Sequence, residues 1–177
     1  MAARPTLDSM TRPTGLVSHE RYFWHDPGSG AGFSAASDYA QPDQHPESPS
    51  TKRRLLSLLE VSGLADSLAP IRPRPAEIGE LTSFHTARYV EEVRRLSAGS
   101  GGSIGDSATI GHGSFEIALL AVGGCLEAVD AVVSGRLANA YALVRPPGHH
   151  AEPDRGRGYC VSGTPCWRSS TRGECTA

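Results

Sequence analysis

The sequence predicts an α/β fold built on a parallel sheet, and three observations carry that prediction. Residues 138–144 form a mainly apolar run that is typical of a buried strand. Residues 114–134 come before it, with apolar side chains at helical spacing and Gly135 as a stop. A Pro-Pro-Gly turn then leads from the strand into two adjacent histidines. A helix, a strand and a loop in this order form the repeating unit of parallel sheets with flanking helices.

The other elements are predicted from local punctuation and periodicity. Residues 14–25 combine a first strand with a loop, and residues 26–47 form a long irregular loop. Ser48 and Pro49 favour a helix start, and Gly63 favours its stop. A second helix covers residues 86–96, and the residues after it, 97–113, are Gly/Ser-rich and are interpreted as a loop.

Two adjacent glycines, Gly123 and Gly124, lie inside the longest predicted helix. Each costs up to ~1 kcal/mol relative to alanine in a helix interior. Their presence therefore predicts that a neighbouring segment approaches the helix backbone closely. The apolar stripe of this helix is interpreted as core; its members are Ile117, Leu120, Ala121, Gly124, Ala128 and Val132.

Composition excludes several classes of protein. The 177 residues suffice for one domain, and a net charge of −2 provides no basic field that would recruit nucleic acid. No segment approaches the roughly 18 apolar residues that span a bilayer, and the first residues lack the apolar region of a signal peptide. A cytoplasmic protein is therefore expected. The four cysteines match no zinc-finger spacing, so free thiols are expected.

The pattern also predicts three regions. Residues 1–13 are polar and expected to be disordered, and residues 14–161 have the composition of a folded domain. Residues 162–177 contain no aliphatic run, although a βα fold needs its next apolar element there. We expect this tail to be read out of frame or to follow a truncation, with a short natural polar tail as the alternative.

His149 and His150 are the strongest candidates for chemistry. They lie in the loop at the carboxyl end of the predicted strand, where open α/β sheets build their active sites. Imidazole is the side chain best suited to exchange protons near neutral pH. The alternative is that both are polar loop residues without a catalytic role.

Four ordered motifs resemble the histone deacetylase superfamily over residues 14–161. The segment 145–152, followed by Gly-Tyr-Cys at 158–160, resembles the catalytic-loop motif of that superfamily. Residues 45–49, 85–90 and 114–124 resemble further family segments in the expected order. The similarity is to the class II branch and its bacterial relatives, the acetylpolyamine amidohydrolases and acetoin-utilisation proteins.

This resemblance implies an arginase/deacetylase-like fold, a parallel sheet with flanking helices, incomplete at the C-terminus. It implies hydrolysis of the acetyl amide of acetyl-lysine or an acetylated polyamine, with a divalent metal, usually zinc. His150 would be the general base and acid, with His149 as its electrostatic partner. Gly158 and Tyr159 would line the tube for the acyl-lysine stem, and Asp106 would hold the substrate backbone at the rim.

The resemblance also implies metal ligands that this sequence lacks. In the family, an Asp-x-His, a further Asp and a tyrosine that stabilises the transition state lie downstream of the Gly-aromatic-Cys. The Asp-x-His at 43–45 lies in the early loop and is interpreted as a coincidence. We therefore expect a truncated amidohydrolase without zinc ligands and without activity. The alternatives are a non-catalytic remnant that binds a partner or an acyl ligand, and a product that does not fold stably.

The remaining reactive side chains are interpreted as structural. His45 and His85 are expected to pack at a loop and a helix start rather than to bind metal. His112 is a weaker candidate for the rim of the active site. Cys160 is expected to be a structural cysteine behind the catalytic loop rather than a reactive thiol. The oligomeric state is not indicated by any pattern.

Overall fold

The computed structural model describes residues 12–163 except 32, 33 and 36. Its strands are β1 (Thr14–Val17), β2 (Gly30–Ala31), β3 (Ser34–Ala35), β4 (Leu68–Ile71), β5 (Gly102–Asp106), β6 (Ala108–Ile110), β7 (Asn139–Ala142) and β8 (Gly156–Arg157). Its helices are α1 (Pro49–Val61), α2 (Ile78–Thr82), α3 (Ala87–Ala98) and α4 (Ser114–Val133). Short 3₁₀ helices cover Glu20–Trp24 and Leu64–Ser67. The predictions for residues 1–11 and 164–177 lie outside the described residues.

A three-stranded parallel sheet organises the fold, in the order β4-β1-β7. β1 is the central strand, and Leu16 lies opposite Pro70 on one side and Tyr141 on the other. Pro70 is tolerated because β4 lies at the edge of this sheet, where a missing N–H breaks no ladder bond. The parallel pairing confirms the predicted α/β class.

Helix α4 separates two apolar cores. On one side Ile117, Ala121 and Ala128 pack with Val17 and Tyr22 over the parallel sheet. On the other side α4 packs against α3 and the β5–β6 hairpin; the buried members of this second core include Val90, Val93, Ile104, Ile110, Phe115, Ala118, Val122 and Leu126. The predicted stripe is therefore core, and α4 is buried on more than one face because it lies between two layers.

The glycine pair in α4 lies where neighbouring atoms approach the helix backbone. A Cβ on Gly123 would collide with the carbonyl oxygen of Arg74, and a Cβ on Gly124 would lie 2.6 Å from the hydroxyl of Tyr22. The predicted close approach is confirmed. The segment after β4 can cross the helix at this point because neither glycine has a side chain.

Several predicted boundaries are confirmed, and two loop assignments are wrong. Residues 26–47 are not all loop, because β2 pairs with β3 there. Helices α1, α3 and α4 begin within a residue of the predicted positions, whereas the predicted strand 138–144 is limited to Asn139–Ala142. Residues 97–113 are not all loop, because β5 and β6 form an antiparallel hairpin there. The glycines of β5 made this segment resemble a loop in the sequence. Gly105 is required there because it adopts φ +152° and because a Cβ would collide with Gly156 O. Within the part of the chain that the structure describes, no helix is long and apolar enough to cross a membrane.

Candidate active site

The candidate catalytic loop starts at a buried arginine shortly after β7. Arg145 is fully buried, and the Arg145–Pro146 peptide bond is cis. The Arg145 Nε donates to both carboxylate oxygens of Glu47 at 3.0 Å, and Nη2 donates to Glu47 Oε2 at 2.8 Å. The remaining donors reach the backbone carbonyls of Tyr22 at 3.0 Å and His25 at 3.2 Å. The guanidinium thus joins the start of the loop to two segments that precede α1.

His149 and His150 lie beyond this anchor, and both are exposed. Their ring centroids are 4.2 Å apart. Cys160 supports them from behind, since the backbone N–H of His150 donates to its Sγ at 3.3 Å, and the same sulfur lies 4.0 Å from His149 Nδ1. The thiol is fully buried, and burial raises its pKa. These features favour the structural role predicted for Cys160, because a reactive cysteine needs an accessible thiolate.

An open groove of about 310 Å³ lies beside His150 and is lined by Asp106, Ser107, Arg157 and Gly158. The pairing of β5 with β8 builds this groove, because it sets Asp106 opposite Arg157 in parallel register. The backbone N–H of Gly158 donates to Asp106 O, and that of Tyr159 donates to Ser107 O, each at 2.9 Å. The structure therefore brings His150, Asp106 and Gly158 together at one groove, with Tyr159 directly adjacent.

Tyr159 is half-buried, with its backbone at φ +69°. Its ring packs edge-on against His45, with 4.5 Å between the ring centroids, and burial raises the pKa of the phenol. His45 Nδ1 accepts from the Glu47 backbone N–H at 3.0 Å. Burial lowers the pKa of His45, so the neutral ring that this bond requires is favoured. The sequence interpretation of His45 as a packing residue agrees with these contacts, but it missed that the packed partner is Tyr159.

Two further polar residues were missed as parts of the site, one buried beneath the loop and one exposed at the groove. His25 is buried, with Nδ1 3.0 Å from Ser114 Oγ, and burial lowers its pKa to about 3. Arg157 lies on the rim, where its Nη1 donates to Glu152 at 3.0 Å and its Nε lies 3.9 Å from Asp106 Oδ2. Neither position has a local pattern that marks it, because both roles depend on residues from distant segments.

The remaining histidines lie away from the groove. His112 is exposed, and its Nδ1 contacts Gly99 O at 3.2 Å, so it does not line the groove as the weaker prediction suggested. His85 is buried at the start of α3. Asp43 accepts from the Gln44 backbone N–H at 2.6 Å, while His45 contacts Tyr159 and Glu47. Among residues 12–163, with their short gaps, no group of three or more His, Cys, Asp or Glu side chains is placed to hold a metal ion.

Comparison with known proteins identifies the class of protein that has this fold. Residues 45–164 match the sequence family of the histone deacetylase domain. A histone deacetylase-like amidohydrolase of Pseudomonas aeruginosa is 46% identical over 154 residues, which cover 85% of this chain and 40% of that protein. The human polyamine deacetylase HDAC10 is 33% identical over 161 residues, which cover 84% of this chain and 22% of that protein.

The solved structure of the HDA15 HD domain supports the same assignment, with a TM-score of 0.74 and 28% identity over 87% of this chain and 41% of that one. The chain therefore belongs to the histone deacetylase family. It spans 40% of the length of its Pseudomonas relative. The predicted family and the deacetylase-like α/β fold are confirmed, and the relatives are hydrolases that act on amide bonds.

Proposed function

We propose that this chain carries the acid–base histidines and the substrate rim of an amidohydrolase that acts on acetylated amines, either acetyl-lysine or an acetylated polyamine. One observation supports this proposal above the others. The loop after β7 presents His150 at a groove that Asp106 also lines. The imidazole can transfer a proton to or from the reacting amide, and the carboxylate can accept hydrogen bonds from the N–H groups of the substrate.

In this proposal His150 removes a proton from the attacking water and returns it to the departing amine. His149, 4.2 Å away between ring centroids, stabilises the charge that develops on its neighbour. The Cys160 sulfur accepts a hydrogen bond from the backbone N–H of His150 and thereby restrains the loop at the two histidines. Arg145 and Glu47 hold the start of the loop, so the histidines project from a rigid base.

Asp106, Gly158 and Tyr159 are the proposed substrate contacts. Asp106 is exposed at the rim and can accept from a backbone N–H or from a cationic amine. The half-buried Tyr159 ring is held against His45 and offers an aromatic wall to the methylenes of a lysine or polyamine stem. Gly158 has φ +52°, which favours glycine, and a Cβ there would make a tight contact of 3.2 Å with His150 Cδ2.

Zinc is the metal that the family resemblance implies, and the described residues do not fit it. Zinc sites in proteins need at least three His, Cys, Asp or Glu side chains at bonding distance. No such group occurs in the described part of this chain. We therefore assign no step to a metal on these residues and propose only the roles of the histidines and of the groove.

The same observation favours one alternative, a non-catalytic protein that binds an acetylated ligand. A single NMR series separates the two proposals. The chain would be titrated with an Nε-acetyl-lysine peptide and with the unacetylated peptide, and acetate release would be measured in parallel with added zinc. Histidine 112 offers a matched control, because His112→Ala removes an exposed ring outside the groove.

Three outcomes are informative. The hydrolase is supported if the acetylated peptide alone shifts the NMR signal of Gly158 and acetate is released. His150→Ala should then abolish the release, and His112→Ala should preserve it. Acetyl-dependent shifts without release support the binding protein. A lack of acetyl-dependent shifts at Ser107, Gly158 and Tyr159 contradicts both proposals.

A further inference from the structure

The segment that carries Gly158, Tyr159 and Cys160 is held at both ends by one buried histidine. His85 lies directly before α3 and is 2% exposed. Its Nδ1 lies 3.3 Å from the carbonyl oxygen of Pro153, at one end of the segment. At the other end, the backbone N–H of Gly163 donates to His85 Nε2 at 2.9 Å. One ring therefore joins two points ten residues apart on the loop.

Neighbouring residues of α3 strengthen this attachment. The backbone N–H of Thr86 donates to the same Pro153 carbonyl at 2.8 Å, and the Tyr89 hydroxyl donates to Val161 O at 2.7 Å. The His85 and Tyr89 rings are in contact, with centroids 5.0 Å apart. On the inner side, the Val161 backbone N–H donates to Pro147 O, which closes the loop around His149 and His150.

These bonds admit only one protonation state of His85. A carbonyl oxygen accepts and never donates, so Nδ1 must carry the proton that reaches Pro153 O. A backbone N–H only donates, so Nε2 must be unprotonated to accept from Gly163. The ring is therefore the neutral Nδ1–H tautomer. A second proton would set two N–H groups against each other at Nε2 and would break the Gly163 bond.

Among the described residues, no carboxylate contacts His85 to stabilise a charged ring. Its contacts are the Phe84 and Tyr89 rings and the backbone of the loop. The carboxylate of Glu152 bonds to Arg155 and Arg157 instead, at 2.8 Å and 3.0 Å. Burial accordingly lowers the pKa of His85, although backbone carbonyls at Pro153 and Glu152 act in the opposite direction.

We propose that His85 is a positioning residue that clasps both ends of the 153–163 segment and releases this segment when it becomes protonated. The clasp acts through the loop and touches no substrate. It rests on the proposed function only in that the released segment carries the groove residues. At acidic pH, the 153–163 segment would detach from α3 while α4 and the parallel sheet remain folded.

Hydrogen exchange tests the clasp on the chain without any ligand. Protection of the amides of Arg157, Cys160 and Val161 would be measured from pH 7 to pH 5 and corrected for intrinsic exchange rates. In the wild-type chain the opening constant of these amides should rise by up to about 25-fold, the limit for one histidine with an open-state pKa of about 6.5. Amides in the middle of α4, such as that of Leu126, report global unfolding, so their opening constants should stay well below those of the segment at every pH.

Two substitutions separate the two bonds. His85→Gln places a neutral acceptor near the Nε2 position and cannot titrate, so opening should no longer depend on pH in this range. His85→Asn keeps a donor near the Nδ1 position and loses the Gly163 bond, so the segment should open more readily at every pH. His112→Gln is the matched control, since that ring also contacts a backbone carbonyl, and it should leave the wild-type pH dependence intact.

The proposal is overturned if the opening constant of the wild-type segment does not change between pH 7 and pH 5, or if His85→Gln retains the full pH dependence. The wild-type titration decides the first point even if a variant fails to fold. Neither result involves acetylated ligands, so the clasp can fail while the proposed amidohydrolase role stands, and the reverse.

Discussion

The buried Arg145–Glu47 pair can be tested by Glu47→Gln, which keeps the size of the side chain and removes its charge. Glu47 is 6% exposed and Arg145 is fully buried. Three contacts of 2.8–3.0 Å join the guanidinium to the two carboxylate oxygens. Lys52 adds a fourth contact, 3.2 Å from Glu47 Oε1. In glutamine, one of the two carboxylate oxygens is replaced by an NH₂ group. That group faces N–H donors of Arg145 or Lys52, so at least one charge-assisted hydrogen bond is replaced by a contact between two donors.

The expected loss in free energy of unfolding follows from these contacts. A hydrogen bond to a charged group contributes about 1.5–3 kcal/mol, and removing one partner of a buried ion pair costs about 3–5 kcal/mol. Arg145 keeps its bonds to the carbonyls of Tyr22, His25 and Glu47, which still solvate the charge. We therefore expect the lower end of that range, about 3 kcal/mol.

Urea unfolding followed by circular dichroism measures this loss, with Glu91→Gln as the matched control. The Glu91–Arg94 pair has a comparable distance of 2.8 Å, but both side chains are 60% exposed. Exposed pairs contribute about 0–1 kcal/mol, so the control should change little. If Glu47→Gln and Glu91→Gln lowered the stability by the same amount, burial would not be what makes the Arg145 pair important.

Three further predictions concern stability. Burial lowers the pKa of His25 to about 3. As the pH falls, His25 is therefore protonated in the unfolded chain before it is protonated in the folded chain. Its contribution to the free energy of unfolding is complete above pH 6.5 and is lost as the pH falls towards 3. Thermal or urea unfolding at pH 5.5 should show a loss of about 1 kcal/mol from this group, absent in His25→Phe. Gly123→Ala should destabilise by about 1–3 kcal/mol in urea because its Cβ meets Arg74 O, whereas Gly79→Ala, with no atom within 4 Å, should not destabilise. Thr86→Ala should cost about 1 kcal/mol in the same assay, because the hydroxyl caps α3 by accepting from the Tyr89 backbone N–H; an unchanged midpoint would contradict that cap.

Helices α1, α3 and α4 were predictable because their signals are local, whereas the short helix α2 was not predicted. Ser48 and Pro49 begin α1, Thr86 caps α3, and Gly135 follows α4 with φ +77°, as expected for a helix stop. The β5–β6 hairpin was not predictable, because its strands are defined by pairing and contain glycines that resemble a loop. The same limit applies to β4, whose Pro70 is tolerated only at a sheet edge.

The candidate site divides in the same way. His149 and His150 stand out as neighbours in a motif, and the family resemblance marks Asp106, Gly158 and Tyr159. The assembly of these residues depends on the parallel pairing of β5 with β8. The support under the loop comes from segments that are 98 and 78 residues distant along the chain, through Glu47 and His85.

Sequence alone predicted the fold class, the starts of the three long helices, the family and the two candidate histidines, because each depends on periodicity, caps or a contiguous motif. Tertiary structure decided which groove faces His150, which charge neutralises Arg145, and which tautomer His85 adopts. These last features arise from hydrogen bonds between groups far apart in the chain. Burial makes such bonds selective, since a buried polar atom must find a partner of the correct donor or acceptor type.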